Sequence, residues 1–280
     1  MTKHYKVAKG IYSTLANALL IIFSISCIFP IIWMLISSFK TTGDFNSNVM
    51  GFPKVFFSEN YRQILFESNI YRYMLNSVIV TAVSVALQLL IGYFIGYFLS
   101  RHRFKGRNFI YLFFLVGMLI PIHSQMVPAY IMLNKMGLTD NLLGLILVYI
   151  AGGLPLVIFL IESYMGSIPV SLEEAALIDG CTFNQILFRI ILPLAVPILV
   201  TCAIIQLFSC WNEFSYALII ISKDNLRTIP LGLTLIKGQY ANNYPKMMAS
   251  MLVSMAPVVI IYFSFSRKII NGVIAGAVKG

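Results

Sequence analysis

The sequence predicts an all-α membrane protein: six transmembrane helices joined by polar loops, one of which is itself helical. Three observations carry that prediction. Of the 280 residues, 59% are hydrophobic and only 11% charged, whereas a soluble domain carries about 25% charged residues. Uncharged intervals of membrane length recur at 10–39, 73–100, 108–134, 141–161, 190–212 and 247–266, and a helix needs roughly 20 apolar residues to cross the hydrocarbon core. Between the fourth and fifth intervals lies Ser171 to Pro193, a less hydrophobic stretch rich in helix-boundary residues. The expected organisation is a single domain, 1–280, with spans at about 11–38, 73–100, 108–133, 142–163, 194–221 and 247–266 and a helical loop at 167–193.

Charge sets the orientation. The net charge of +10 does not describe a nucleic-acid surface, because the cations are scattered between apolar runs. Lys3, Lys6 and Lys9 precede the first span, and Arg101, Arg103, Lys105 and Arg107 crowd the link between the second and third. The positive-inside rule puts both segments in the cytoplasm, and six spans then put the 167–193 loop and both termini there too. The run after Lys9 stays uncharged as far as Phe39, too long for a cleaved signal, so it reads as an uncleaved first span. Cys27, Cys181, Cys202 and Cys210 form no CxxC pair, and neither a disulfide framework nor a metal site is expected.

In chain order, residues 40–72 form a first outer loop in which short surface helices are expected. The second span places Ser77, Thr81, Ser84 and Gln88 on one helical face. This polar stripe either packs helices together or borders a substrate path. Gly92 and Gly96 follow as a GxxxG pair that lets a neighbouring helix approach closely. The third span contains Pro121 and Pro128 with His123, Ser124 and Gln125 between them, which predicts a kink or a broken helix. Irregular backbone at membrane depth is buried in protein or lines a wet cavity, so His123 and Gln125 are candidates for a pathway or its gate. His123 reads otherwise as a hydrogen-bonded packing residue.

The fifth span aligns Cys202, Gln206, Ser209, Cys210 and Glu213 on one face. Glu213, directly after Asn212, needs a partner or water if it lies within the membrane. It marks either a pathway or subunit-interface position, or the outer headgroup level with Trp211 as an interfacial anchor. The last outer loop, 222–246, carries Lys237, Gly238, Gln239 and Tyr240, a set suited to reversible polar recognition.

The loop between the fourth and fifth spans holds two short helices back to back. Ser171 with Glu174, and Thr182 with Gln185, each have capping-box spacing. Gly180 between them suits the left-handed conformation that ends a helix, and Pro193 is expected to stop the second helix. Glu174-Ala175-Ala176, then Asp179-Gly180, then Ile190 to Pro193 resembles the EAA loop of binding-protein-dependent ABC importer permeases. The resemblance covers about nine tenths of the chain and is to the maltose-type, carbohydrate-uptake branch. It implies the type I importer permease fold, with the loop as the coupling helix that seats in a cleft of an ATPase subunit. On that basis Glu174, Ala175, Ala176, Asp179, Gly180, Ile190 and Pro193 are ATPase-coupling residues. The C-terminal run with Gly276, Ala277, Lys279 and Gly280 is similar to the family's glycine-rich tail, which also contacts the ATPase pair.

The same resemblance implies the partners: a homologous second permease, two ATP-binding subunits that use ATP and magnesium, an extracytoplasmic solute-binding protein facing Lys237 to Tyr240, and a sugar as cargo. It implies the cytoplasmic (inner) membrane of a bacterium. The chain itself has no Gly-Lys dipeptide and hence no GxxxxGK[ST] phosphate loop, so no cofactor of its own is expected. No nucleophile, base and orienter set appears either, so the chain is not expected to be an enzyme. Gln88, His123, Gln125, Gln206, Asn212 and Glu213 are the candidate pathway or interface residues. A permease for another solute class and a self-sufficient secondary transporter are the alternatives.

Overall fold

The computed structural model describes the backbone of residues 2–240 and 242–277, and the side chains of 12–238, 240 and 242–264. Thirteen α-helices follow in order among the described residues: α1 (Thr2–Ser38), α2 (Thr42–Ser47), α3 (Glu59–Phe66), α4 (Ile70–Arg101), α5 (Arg107–Leu119), α6 (Ile122–Lys135), α7 (Leu142–Met165), α8 (Ser171–Ile178), α9 (Phe183–Gln185), α10 (Leu192–Trp211), α11 (Ser215–Ile220), α12 (Ile229–Gln239) and α13 (Tyr244–Ala277). Five stretches are long and apolar enough to cross a membrane: Tyr12–Ser38, Ile70–Arg101, Leu142–Met165, Phe183–Trp211 and Tyr244–Ser264. The pair α5 and α6, bent by 106° at its break, makes a sixth.

The chain divides into two compact units, Met1–Ser68 with Leu235–Met255, and Asn69–Thr234 with Ala256–Gly280. In the first, the short helices expected outside the first span are α2 and α3. Lys40 is fully buried there, its Nζ donating to the carbonyls of Asn48 at 2.7 Å and Val49 at 3.2 Å. Asn60 Nδ2 donates to the Ser38 and Lys40 carbonyls, tying α3 to the end of α1.

The second unit is built on α4 and α7, which share its most extensive helix contact. Gly92 and Gly96 make that approach possible: a Cβ at these positions would lie 2.5 Å from Val157 Cγ1 and 2.7 Å from Ile161 Cγ2. Burial gives no hydrophobic advantage between helices in lipid, so such backbone proximity, with its dispersion contacts, is what holds them. The polar stripe of α4 is buried in the same unit: Ser77, Thr81, Ser84 and Gln88 are each at most 5% exposed. Gln88 Nε2 donates to the Tyr149 carbonyl at 2.6 Å and Gln206 Nε2 to the Gly153 carbonyl at 3.3 Å, so glutamines from α4 and α10 converge on α7.

The break expected in the third span is present. Ile120 is extended (φ −80°, ψ 119°) because the Pro121 ring disfavours helical backbone in the residue before it, and α6 restarts at Ile122. Pro193 behaves differently from expectation. It does not stop the second loop helix; residues Ile186–Ile191 form a π-helical turn, and the chain runs on through α10 to Trp211. The Leu192 N–H reaches Leu187 O in this wider register, so the donor that Pro193 lacks falls where the ladder is already changing step. The 222–246 loop is also more ordered than read from the sequence, since α12 occupies Ile229–Gln239.

Candidate functional site

The 167–193 loop turns as its sequence predicts. Gly180 sits at φ +80°, with its N–H on Leu177 O at 3.1 Å and the Cys181 N–H on Ala176 O at 2.9 Å, a paired closure that satisfies the last carbonyls of α8. The Thr182 and Gln185 capping box forms in both directions, with distances of 3.4 and 2.7 Å. The Ser171 and Glu174 box does not. Val170 is already helical, and Pro169 O accepts from the Leu172 N–H, so the helical turn begins before Ser171 can act as its cap.

The inner face of the loop is pinned to the C-terminal end of α4. Arg101 Nε lies 2.6 Å from Glu173 Oε1, with the two side chains 6% and 12% exposed. The pair is close but poorly aligned as a hydrogen bond; Tyr97 OH donates squarely to Glu173 Oε2 at 2.8 Å, and Arg101 Nη2 donates to the Ile168 carbonyl at 2.8 Å. Phe183 packs its ring on Tyr97 and Phe98, and Tyr93 OH donates to the Leu187 carbonyl at 2.7 Å. Beneath them Met165, Ile168, Ala176, Ile186 and Leu187 form one apolar cluster. A second ion pair, Arg107 with Glu162 at 3.1 Å, links α5 to α7 nearby. The sequence reading singled out Glu174 and missed Glu173, Tyr97 and the structural part played by Arg101.

The outer face stays open. Glu174, Ala175, Asp179, Gly180 and Pro193 are exposed, Ile190 is half-buried, and Ala176 alone of these residues is buried. Beside them Leu177 is 60% and Ile178 87% exposed, an apolar pair held out on a fixed helical end and flanked by two carboxylates. Neither was identified from sequence; their position just before the Gly180 turn is the signal that could have found them.

The remaining candidates are divided by the structure. A cavity of about 1220 Å³ lies among α5, α6, α7, α10 and α11, and its lining includes Gln125, Tyr149, Gln206, Ser209 and Glu213. Glu213 has the partners it requires: Tyr149 OH donates to Oε2 at 2.7 Å, the Tyr216 N–H to Oε1 at 2.7 Å and the Ala217 N–H to Oε2 at 3.2 Å. Trp211 is buried and does not serve as a surface anchor. Gln88 is buried against α7, Asn212 is exposed at the end of α10, and His123 is exposed, its ring 3.5 Å from Met126 Sδ. These three do not line the cavity.

At the opposite end of α4, Asp224 Oδ1 accepts from Tyr73 OH and Oδ2 from Asn69 Nδ2, each at 2.7 Å. Asn76 Nδ2 donates to the carbonyls of Asn225 and Arg227, and the Ile229 N–H donates to Ser77 Oγ at 2.8 Å. Asp140, in the turn before α7, accepts from the Lys223 and Ser222 N–H groups, which hold its carboxyl below the ordinary carboxylate range. Lys237 and Gly238 are exposed on the last turn of α12, and Lys246 Nζ lies 4.9 Å from the centre of the Tyr240 ring. The Gln239 side chain lies outside the described residues, as do Lys279 and Gly280; Gly276 and Ala277 are within α13.

Fold and loop together define a polytopic helical membrane protein that carries a firmly mounted helical turn with an exposed apolar tip. The model of the binding-protein-dependent transport system inner membrane component matches residues 88–278. The chain is 37% identical over 261 residues to the probable ABC transporter permease protein YurM of Bacillus subtilis (strain 168), covering 93% of this chain and 87% of that one. It is 33% identical over 270 residues to the diacetylchitobiose uptake system permease protein NgcG of Streptomyces coelicolor, covering 96% and 89%. It is 33% identical over 257 residues to the arabinooligosaccharides transport system permease protein AraQ of Halalkalibacterium halodurans, covering 90% and 91%. The fold is that of a bacterial ABC transporter involved in the import of alginate, with a TM-score of 0.80 at 24% identity over 93% of this chain and 97% of that one. The chain belongs to the family of inner-membrane permease components of binding-protein-dependent ABC transport systems.

Proposed function

We propose that this chain forms half of the membrane pathway of an ATP-driven importer for a sugar or oligosaccharide. The observation that carries the proposal is the loop: its inner face is fixed by a buried ion pair while its outer face presents Ala175, Leu177 and Ile178 between Glu174 and Asp179. Such a short amphipathic helix fits a groove on a partner. The partners in this reading are a homologous second permease, two ATP-binding subunits that bind ATP and magnesium, and an extracytoplasmic solute-binding protein that meets the Lys237 to Tyr240 segment. The loop and both termini face the cytoplasm, and the Gly276 to Gly280 tail reaches the ATPases. Closure of the ATPases pushes α8, which rocks the spans between inward-facing and outward-facing states. The cavity lined by Gln125, Gln206 and Glu213 borders the solute path. Relatives named for diacetylchitobiose and arabinooligosaccharide uptake support a sugar cargo.

The test is a mild-detergent pull-down from the native membrane, repeated with Gly180→Asp. No atom lies within 4 Å of a Cβ at position 180, so the substitution meets no clash; the left-handed backbone there strains any side chain, Asp less than most. The expected result is a P-loop ATPase and a second permease with the unmutated chain, weakened ATPase recovery with G180D, and loss of uptake. Normal uptake of radiolabelled oligosaccharide by G180D cells that grow on it would sink the coupling assignment. A wild-type chain recovered folded and alone would transfer the reading to a self-sufficient transporter.

A further inference from the structure

Resting on the importer reading, we infer that α4 is the strut that carries motion from the cytoplasmic loop to the outer segment 222–229, with Arg101, Tyr97 and Glu173 as the positioning residues that fasten it. Three observations converge. The docking helix α8 is joined covalently to α7 and, through the π-helical turn, to α10, yet its polar anchor is on α4, an element it is not joined to in sequence. The far end of α4 is fastened as well, because Asn69, Tyr73, Asn76 and Ser77 hold Asp224, Asn225, Arg227 and Ile229. Tyr73 and Arg101 stand about 40 Å apart along the helix at 1.5 Å per residue.

The third observation concerns stiffness. The other long helices carry an internal proline, Pro30 in α1, Pro155 in α7, Pro197 in α10 and Pro257 in α13, and α5 and α6 are parted by a bend of 106°. The 32 residues of α4 contain none. Proline removes a ladder hydrogen bond and is the usual cause of a bend, so α7 and α10 absorb displacement where α4 transmits it. A push on α8 therefore reaches residues 222–229 through the Glu173 carboxylate and the α4 rod.

The test uses the complex co-purified with its ATP-binding subunits and reads hydrogen–deuterium exchange at 171–180 and at 222–229, with and without magnesium, ATP and vanadate. In the unmutated complex both segments respond, by roughly threefold or more in exchange rate. In Glu173→Gln the 171–180 response is retained and the 222–229 response lost. The swap R101E with E173R restores it, and E162Q, which breaks the neighbouring pair off this route, leaves both responses intact. Where E173Q fails to assemble, Y97F, which removes one hydroxyl only, decides: a full response at 222–229 in that variant overturns the inference. So does an unmutated complex in which 222–229 is silent while 171–180 responds. Absence of any ATPase from the wild-type preparation brings down the importer reading itself, a distinct failure that takes this inference with it.

Discussion

The two ends of α4 are fastened by different chemistry. At the loop end a charged pair is taken almost wholly out of solvent beside Tyr97, whose hydroxyl donates to Glu173 and whose ring packs on Phe183. At the other end the acid, Asp224, is about half exposed, and its partners are a phenol, an amide and a guanidinium 3.5 Å away. A buried pair is conditional: each charge is tolerable only while the other is present. A half-exposed acid whose two hydrogen bonds come from neutral donors and whose guanidinium stands farther off can lose one contact and turn to water for replacement. One end is an all-or-nothing joint and the other a graded one.

The largest expected effect breaks the first kind of joint. Arg101→Ala leaves Glu173 charged and nearly buried, at a cost of about 3–5 kcal/mol, while removing Glu173 as well recovers most of it. Thermal unfolding of the purified chain in detergent measures both; a loss below about 1 kcal/mol for the single variant would mean the pair is solvated. A smaller loss, about 1.5 kcal/mol, is expected for Tyr73→Phe, which withdraws one donor from a charged acceptor. If it matched Arg101→Ala, the contrast between the two ends would disappear.

The smallest effect concerns pH. Asp140 has a folded pKa held below 3.8 by the backbone N–H groups of Lys223 and Ser222. A depressed carboxylate contributes stability that is complete above its unfolded pKa and lost as pH falls through the folded one. The melting temperature of the wild type therefore carries an Asp140 component that fades only below about pH 4. Asp140→Asn, which keeps an acceptor oxygen for both N–H groups, removes that component and flattens the acid limb. An unchanged acid limb would show that the turn is held by the Asp140 N–H to Ile220 O bond instead.

How much of this was legible depended on how local the cause is. The Gly180 turn and the Thr182 box are set within a few residues, and both read directly from the chain. The break at Pro121 reads equally well, since the proline acts on its immediate neighbour. Pro193 obeys the same chemistry with the opposite outcome, because the π-helical turn before it depends on how Ile186, Leu187 and Ile191 pack, which no local rule contains. Glu173 and Glu174 are indistinguishable by type. The phase of α8 against α4 turns Glu173 inward, and its position three residues before buried Ala176 was the available hint. In α12, Pro230 in the first turn signalled a helix start, while Gly232 and Gly238 argued against one. Gly232 is there because it packs against the Tyr73 ring.

The Glu213 carboxylate has a consequence for what the cavity can welcome. A free carboxylate offers roughly four acceptor directions, and here three donors already occupy it. Two of those donors are amides at the start of α11, whose partial positive charge offsets the acid's own. The carboxylate thus faces the cavity with most of its acceptor directions taken, held in one orientation by Tyr149 and the first turn of α11.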